Sequence, residues 1–121
     1  MRLITDRTQA DVLEGTEKGR YTLRDLDRVE QTVEDLRIQL HILGTTLSFN
    51  TYTGWQQNRT IPTQREMIRY LQNVRAVAEA LGLTPELPES MDYLDYRGAN
   101  QIELALEQAQ EKLRSIQQSD R

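Results

Sequence analysis

Apolar residues recur at alternating steps of three and four in three separate stretches of the chain. From Thr22 to Gly44 they are Leu26, Val29, Val33, Leu36, Leu40 and Leu43, filling every a and d position of three heptads. Thr22 followed by Asp25 is a variant of the capping box, and Gly44 stands where a left-handed closing residue belongs. A second helix is expected after Ile61-Pro62, opened by the capping box Thr63 and Glu66 and stopped at Gly82. Its seam is Met67, Tyr70, Val74, Val77 and Leu81, widened by Leu71 and Ala78 as suits a helix touching two neighbours. The third stretch carries Ala99, Ile102, Leu106, Ala109, Leu113 and Ile116. The pattern predicts an all-α domain with long helices over about 22–43, 63–81 and 96–117 in a small bundle. A short helix within Thr8–Glu17 is weakened by Gly15 and Gly19.

A shift of 73 residues lays the first seam onto the third, and polar positions follow: Arg24 on Arg97, Asp27 on Asn100, Glu30 on Glu103, Glu34 on Glu107. An internal duplication relating 22–44 and 95–117 accounts for this. Chance heptad similarity is the alternative. The connections are long for a helical bundle, 18 residues over 45–62 and 13 over 83–95, against roughly 2–8 usually. Leu47, Phe49, Tyr52, Trp55 and Ile61 in the first, and Leu83, Leu87, Met91, Tyr93 and Leu94 in the second, mark them as ordered. Thr45, Thr46, Ser48, Thr51 and Tyr52 also allow a short β-ribbon. The first link can stretch about 60 Å, so the first two long helices can run either way, with antiparallel the default expectation. A true duplication would set the first and third helices side by side in one direction.

Composition narrows the function. With 121 residues the chain is one domain, 1–121, and without cysteine it has no disulfide framework, thiolate zinc site or thiol nucleophile. No apolar run reaches the length of a signal peptide or membrane span, so the expectation is a protein made and kept in the cytoplasm, or leaving it by a route that needs no signal, with no membrane partner. A formal charge of −4 argues against nucleic acid. Thirteen of 15 basic residues are arginine, which suits planar contacts to carboxylates and aromatics, although a compositional habit of the source genome gives the same bias.

Candidate chemistry is sparse. His41 has no nucleophile or second histidine beside it, and Ile38 stands where a bundle di-metal site needs glutamate. No glycine-rich phosphate loop, nucleophile elbow or zinc-protease helix occurs. Asp92 and Asp95 read as turn and cap residues, and Asn58-Arg59-Thr60 as a chance glycosylation triplet. The expectation is no enzyme, no catalytic residue, no metal or other cofactor and no small-molecule substrate. Glu103, Glu107 and Glu111 form an acidic ladder, and Arg24 with Arg28, and Arg65 with Arg69, form basic ones. They are either matched by a neighbouring helix or subunit, or are separate solvated faces. Phe49, Tyr52 and Trp55 fall within seven residues of a link expected at the surface, so with Tyr93 and Tyr96 they are candidate partner anchors. The alternative is that they fold back to plug the open end of the bundle. The expected interface set is Phe49, Tyr52, Trp55, Tyr93, Tyr96, Arg65, Arg69, Glu103 and Glu107.

Several strings, in order along nearly the whole chain, carry a resemblance: Asp6-Arg7-Thr8-Gln9-Ala10-Asp11-Val12, Tyr21-Thr22-Leu23-Arg24-Asp25-Leu26-Asp27-Arg28-Val29-Glu30, Trp55 followed by Ile61-Pro62-Thr63, Met67-Ile68-Arg69-Tyr70-Leu71-Gln72-Asn73-Val74-Arg75, Leu87-Pro88-Glu89-Ser90-Met91-Asp92 and Leu94-Asp95-Tyr96-Arg97-Gly98-Ala99-Asn100-Gln101-Ile102-Glu103. Together they resemble a group of small uncharacterised virion structural proteins encoded near tail and baseplate genes of phages and prophages of Gram-positive bacteria. The chain departs from the group in its short spacer after Val12 and in Gly98, where the group favours a charged residue. The resemblance implies a non-enzymatic tail, baseplate or fibre component, assembled in the bacterial cytoplasm, whose partners are other virion proteins and copies of itself. A free cytoplasmic adaptor or regulator, capturing a partner helix along the alanine-containing seam of the last helix, is the competing class.

Overall fold

A computed structural model describes residues 2–119. Among the described residues the fold is all-helical: α1 Gln9–Glu14, α2 Leu23–Ile42, α3 Trp55–Asn58, α4 Gln64–Ala80 and α5 Tyr96–Ser119. The expected caps close the ends. The Thr22 amide donates to Asp25 at 2.6 Å, Thr63 Oγ1 accepts from the Glu66 amide at 3.3 Å, and Asp95 Oδ1 accepts from the Gly98 amide at 2.8 Å. Gly98 does not delay α5; it lets the first turn pass beneath the preceding segment, where a Cβ would come within 2.8 Å of Leu94 Cδ1.

The three long helices, α2, α4 and α5, each contact the other two. Their seams meet inside: Leu26, Val29, Val33, Leu36 and Leu40 from α2, Tyr70, Val74 and Val77 from α4, and Ile102, Leu106, Ala109 and Leu113 from α5. Burial of each large apolar side chain contributes roughly 1.5–3 kcal/mol. The α2 and α5 seams each end one position early, Leu43 being exposed and Ile116 only partly covered, whereas the α4 seam runs to the buried Leu81.

All three long helices run in one direction, contrary to the antiparallel expectation for α2 and α4. Arg28 near the start of α2 meets Glu103 near the start of α5, and Gln39 near the end of α2 meets Gln117 near the end of α5. Arg69, early in α4, meets Glu30, early in α2, and the Tyr21 hydroxyl just ahead of α2 bonds that of Tyr70. The reason lies in the links, which are not loops but return straps. In the middle strap, Thr51 bonds Glu34, the Tyr52 amide bonds Glu30, and the Trp55 and Gln56 amides bond Asp27. The chain thus retraces α2 to its N-terminal end before entering α4, and forms the short helix α3 there instead of a β-ribbon. The second link returns along α4 in the same way, placing Pro88–Asp92 against Gln64, Met67, Ile68 and Leu71.

Residues 3–8 form a third strap, along α5. The Ile4 amide donates to Glu103 Oε1 at 3.0 Å and the Arg7 amide to Asn100 Oδ1 at 3.0 Å. Each strap is antiparallel to the helix it covers and feeds the next one: α5 holds the strap that leads to α2, α2 the strap to α4, and α4 the strap to α5. Between the leading strap and α2 the chain curls through α1. Gly19 packs there so closely that a Cβ would lie 2.4 Å from the Asp11 carbonyl oxygen.

Candidate functional site

Two of the straps are held by a shared device. On α2, Asp27 and Glu30 stand one turn apart and accept the Trp55 and Tyr52 amides, at 2.9 and 3.0 Å. On α5, Asn100 and Glu103 have the same spacing and accept the Arg7 and Ile4 amides, both at 3.0 Å. In both cases strap residues three apart meet helix residues three apart, in the same register. The strap then inserts a polar side chain beside the glutamate: the Trp55 indole N–H donates to Glu30 Oε2, and Arg7 Nη2 to Glu103 Oε2 at 2.5 Å. The next long helix completes the clamp with a guanidinium. Arg69 spans both oxygens of Glu30 at 2.7 and 3.0 Å, and Arg28 spans both of Glu103 at 2.7 and 2.8 Å.

The Glu103 clamp is the more deeply enclosed. Glu103 is fully buried, and Arg7, Arg28 and Asp25 around it are nearly so. Asp25 accepts from both arginines, so two positive and two negative groups share one interior site. Burial alone would lower the Arg28 pKa, but hydrogen bonds to Glu103 and Asp25 raise it above its ordinary value. Among the described residues no buried side-chain nitrogen or oxygen lacks a hydrogen-bond partner. A buried carboxylate without such partners would cost several kcal/mol. The same balance fixes rotation and register of α2 against α5.

This geometry corrects two members of the expected interface. Trp55 and Glu103 have no exposed surface, so neither can anchor a partner while the fold is closed. Tyr52 and Phe49 are half-buried. Tyr52 packs edge-on against Trp55 with ring centroids 4.8 Å apart, its hydroxyl bonded to Thr60, and Phe49 lies against the core. Arg69 is turned inward onto Glu30, whereas Arg65 is exposed. Glu107 is half-buried in a cleft with Leu3, Thr5 and Lys18. Tyr96 is half-buried and stacks under the Arg97 guanidinium. Ala99 and Ala109, the thin places of the α5 seam, are also internal, so a partner helix has no open seam there. Sequence reasoning missed Arg7 altogether.

One expected anchor is presented outward. Tyr93 is fully exposed at the tip of the last strap, with a left-handed φ of 57°. That conformation costs an L-residue roughly 1–2 kcal/mol. Beside it lies an apolar cleft between the N-terminal ends of α2 and α4, lined by Leu23, Leu26, Pro62, Met67, Met91 and Leu94. Ile61 at its margin is 82% exposed. Among the described residues no helix is long and apolar enough to cross a membrane, and no cluster of His, Asp or Glu gathers as metal ligands do. No family model, curated protein or solved structure matches the chain.

Proposed function

We propose that the protein is a non-enzymatic structural component of a bacteriophage virion, associated with tail, baseplate or fibre, that works by docking to other virion proteins and to copies of itself. The heptad-patterned three-helix bundle is the rigid unit, and the end bearing the helix N-termini is the docking end. The observation that carries this reading is Tyr93: a large aromatic held in the left-handed region at full exposure, beside an apolar cleft and the exposed Ile61. Backbone strain of this kind at an exposed aromatic has no internal contact to offset it and points to a contact made elsewhere. The resemblance of the ordered strings to virion structural proteins suggests the setting. The paired clamps on α2 and α5 support the reading of 22–44 and 95–117 as copies of one unit.

The test is to search purified particles for the chain by mass spectrometry and to compare the double variant Tyr93→Ala, Ile61→Ser. The variant should keep its helical circular dichroism and lose most of its incorporation. A stable monomer that never enters particles would sink the proposal in favour of the free cytoplasmic adaptor.

A further inference from the structure

We infer that the groove on α5 between Asn100 and Glu103 is an exchange site, able to take residues 4–7 of a second copy of this chain in place of its own. The three straps are alike in direction but differ in connection. The middle strap follows directly on α2, which holds it, and the last strap follows directly on α4. The leading strap is held by α5 yet joined to α2, so it alone leaves its holder without breaking a helix-to-strap connection. A second copy's strap would make the same contacts: Ile4 and Arg7 amides on Glu103 and Asn100, the Asn100 side-chain amide on the Arg7 carbonyl, and the Arg7 guanidinium on Glu103 and Asp25.

The hold is enclosed and directional, yet it passes on whole, because a second copy brings the same groups. It rests on hydrogen bonds and one buried guanidinium, with only Leu3 packing partly against the core. The segment joining the strap to α2 buries little: α1 has no buried residue, and its Leu13 is 78% exposed. With Tyr21 and Thr22 left in place at the start of α2, residues 8–20 extended span roughly 45 Å, well beyond the width of a small domain. Exchange of an identical element needs no new interface chemistry; reciprocal exchange closes a dimer, and one-way exchange propagates a chain of copies. The site lies at the same end as Tyr93, Arg7 sharing a cleft with Leu94, Asp95 and Tyr96, but its test reads exchange between copies rather than entry into particles, so it stands or falls separately from the virion assignment.

The cysteine-free chain permits a direct test. Thr5 and Glu107 line one cleft, and both are only half-buried. One full-length chain carries Thr5→Cys, another of different tagged mass carries Glu107→Cys, and the two are refolded together and treated with a short bis-maleimide. Exchange predicts a cross-linked heterodimer at a yield severalfold above that obtained when the Thr5→Cys chain also carries Arg7→Ala; the acceptor chain is unaltered between the two reactions. A chain with both cysteines should give covalent dimers alongside internal cross-links, rising with concentration. Purely internal cross-linking at every concentration, or a heterodimer yield indifferent to Arg7→Ala, would overturn the inference.

Discussion

Replacing Glu103 with glutamine keeps shape and removes one charge from the most enclosed site in the molecule. Glu103 has no exposed surface, and it receives Arg7, both donors of Arg28 and the Ile4 amide. In Glu103→Gln, Asp25 alone faces two interior guanidiniums, and the new amide turns an N–H toward one of them. Breaking a buried pair in this way costs about 3–5 kcal/mol, a large share of the roughly 5–15 kcal/mol that holds a domain together. With an unfolding entropy of about 0.25 kcal/mol/K for a chain this long, the melting temperature should fall by about 12–20 °C.

Glu30→Gln supplies the comparison. Its register and strap contacts are the same, but its single guanidinium, Arg69, is about a quarter exposed and can turn to water. The loss should be nearer that of hydrogen bonds to a charged group, about 1.5–3 kcal/mol. Urea unfolding followed by Trp55 fluorescence measures both, with unchanged m-values required before midpoints are compared. Because the indole N–H rests on Glu30, the native emission should shift in Glu30→Gln and stay put in Glu103→Gln. A Glu103→Gln loss below about 1 kcal/mol, or the reverse order of the two variants, would refute the argument that the enclosed four-charge cluster fixes α5 against α2.

Three further outcomes are expected. Burial raises the Tyr70 phenol, and that of Tyr21, above the ordinary 10.0; below pH 10 their contribution is intact, and above it the unfolded chain loses protons first, so stability falls by up to about 2.7 kcal/mol per pH unit. Urea midpoints between pH 9 and 11 should show that slope roughly halved in Tyr70→Phe, and a flat profile in the parent chain would contradict it. Gly19→Ala should loosen the α1 curl at a loss of about 1–3 kcal/mol, because the new Cβ meets the Asp11 and Val12 backbone; faster amide exchange over residues 8–20 with unchanged exchange in α4 is the signature. Tyr93→Asn should gain about 0.5–1 kcal/mol in thermal unfolding, since asparagine tolerates the left-handed region, while lowering incorporation into particles.

The seams were legible because burial against two neighbours imposes one helical period, and Leu26 to Leu40, Tyr70 to Leu81 and Ile102 to Leu113 obey it without interruption. The Thr63 box and Asp95 were legible for the same local reason. Helix direction was not, because link length alone permits both senses, and only the side chains that receive the strap amides decide between them. Those side chains were in view. The 73-residue shift aligns Asp27 with Asn100 and Glu30 with Glu103 as marks of ancestry, and four-residue spacing sets Glu103 on a charged ladder. A glutamate repeated beside an apolar seam reads equally as solvated or as buried. Arg28, four residues after Arg24, carried the matching charge, but its partner lies 75 positions away. Of the two readings the sequence leaves open for Trp55, partner anchor or residue folded back onto the bundle, the structure bears out the second, because Asp27 and Glu30 draw it in by both its amide and its indole nitrogen.

One requirement unites direction, register and the unequal straps. Parallel helices oblige the chain to travel back the full length of each one, and a returning strap brings backbone amides that need acceptors. On α2 and α5 a carboxylate or carboxamide and, one turn later, a glutamate supply them, and enclosing that glutamate calls for a fork-shaped cation from the next helix. Arg28 and Arg69 are those forks, and superposing them sets Ile68 and Leu71 of α4 where α2 has Asp27 and Glu30. The strap on α4 is accordingly held by apolar packing, Leu87 and Met91 lying against the core and Pro88 and Met91 sharing a cleft with Ile68 and Leu71. It has the least directional hold of the three, and it is also the strap that carries Tyr93 outward in a strained conformation. The proposed division of labour follows: both clamps lock the interior, the Glu103 clamp does so through a strap that a second copy can supply, and the strap without a clamp is left to adapt its aromatic tip to a different protein.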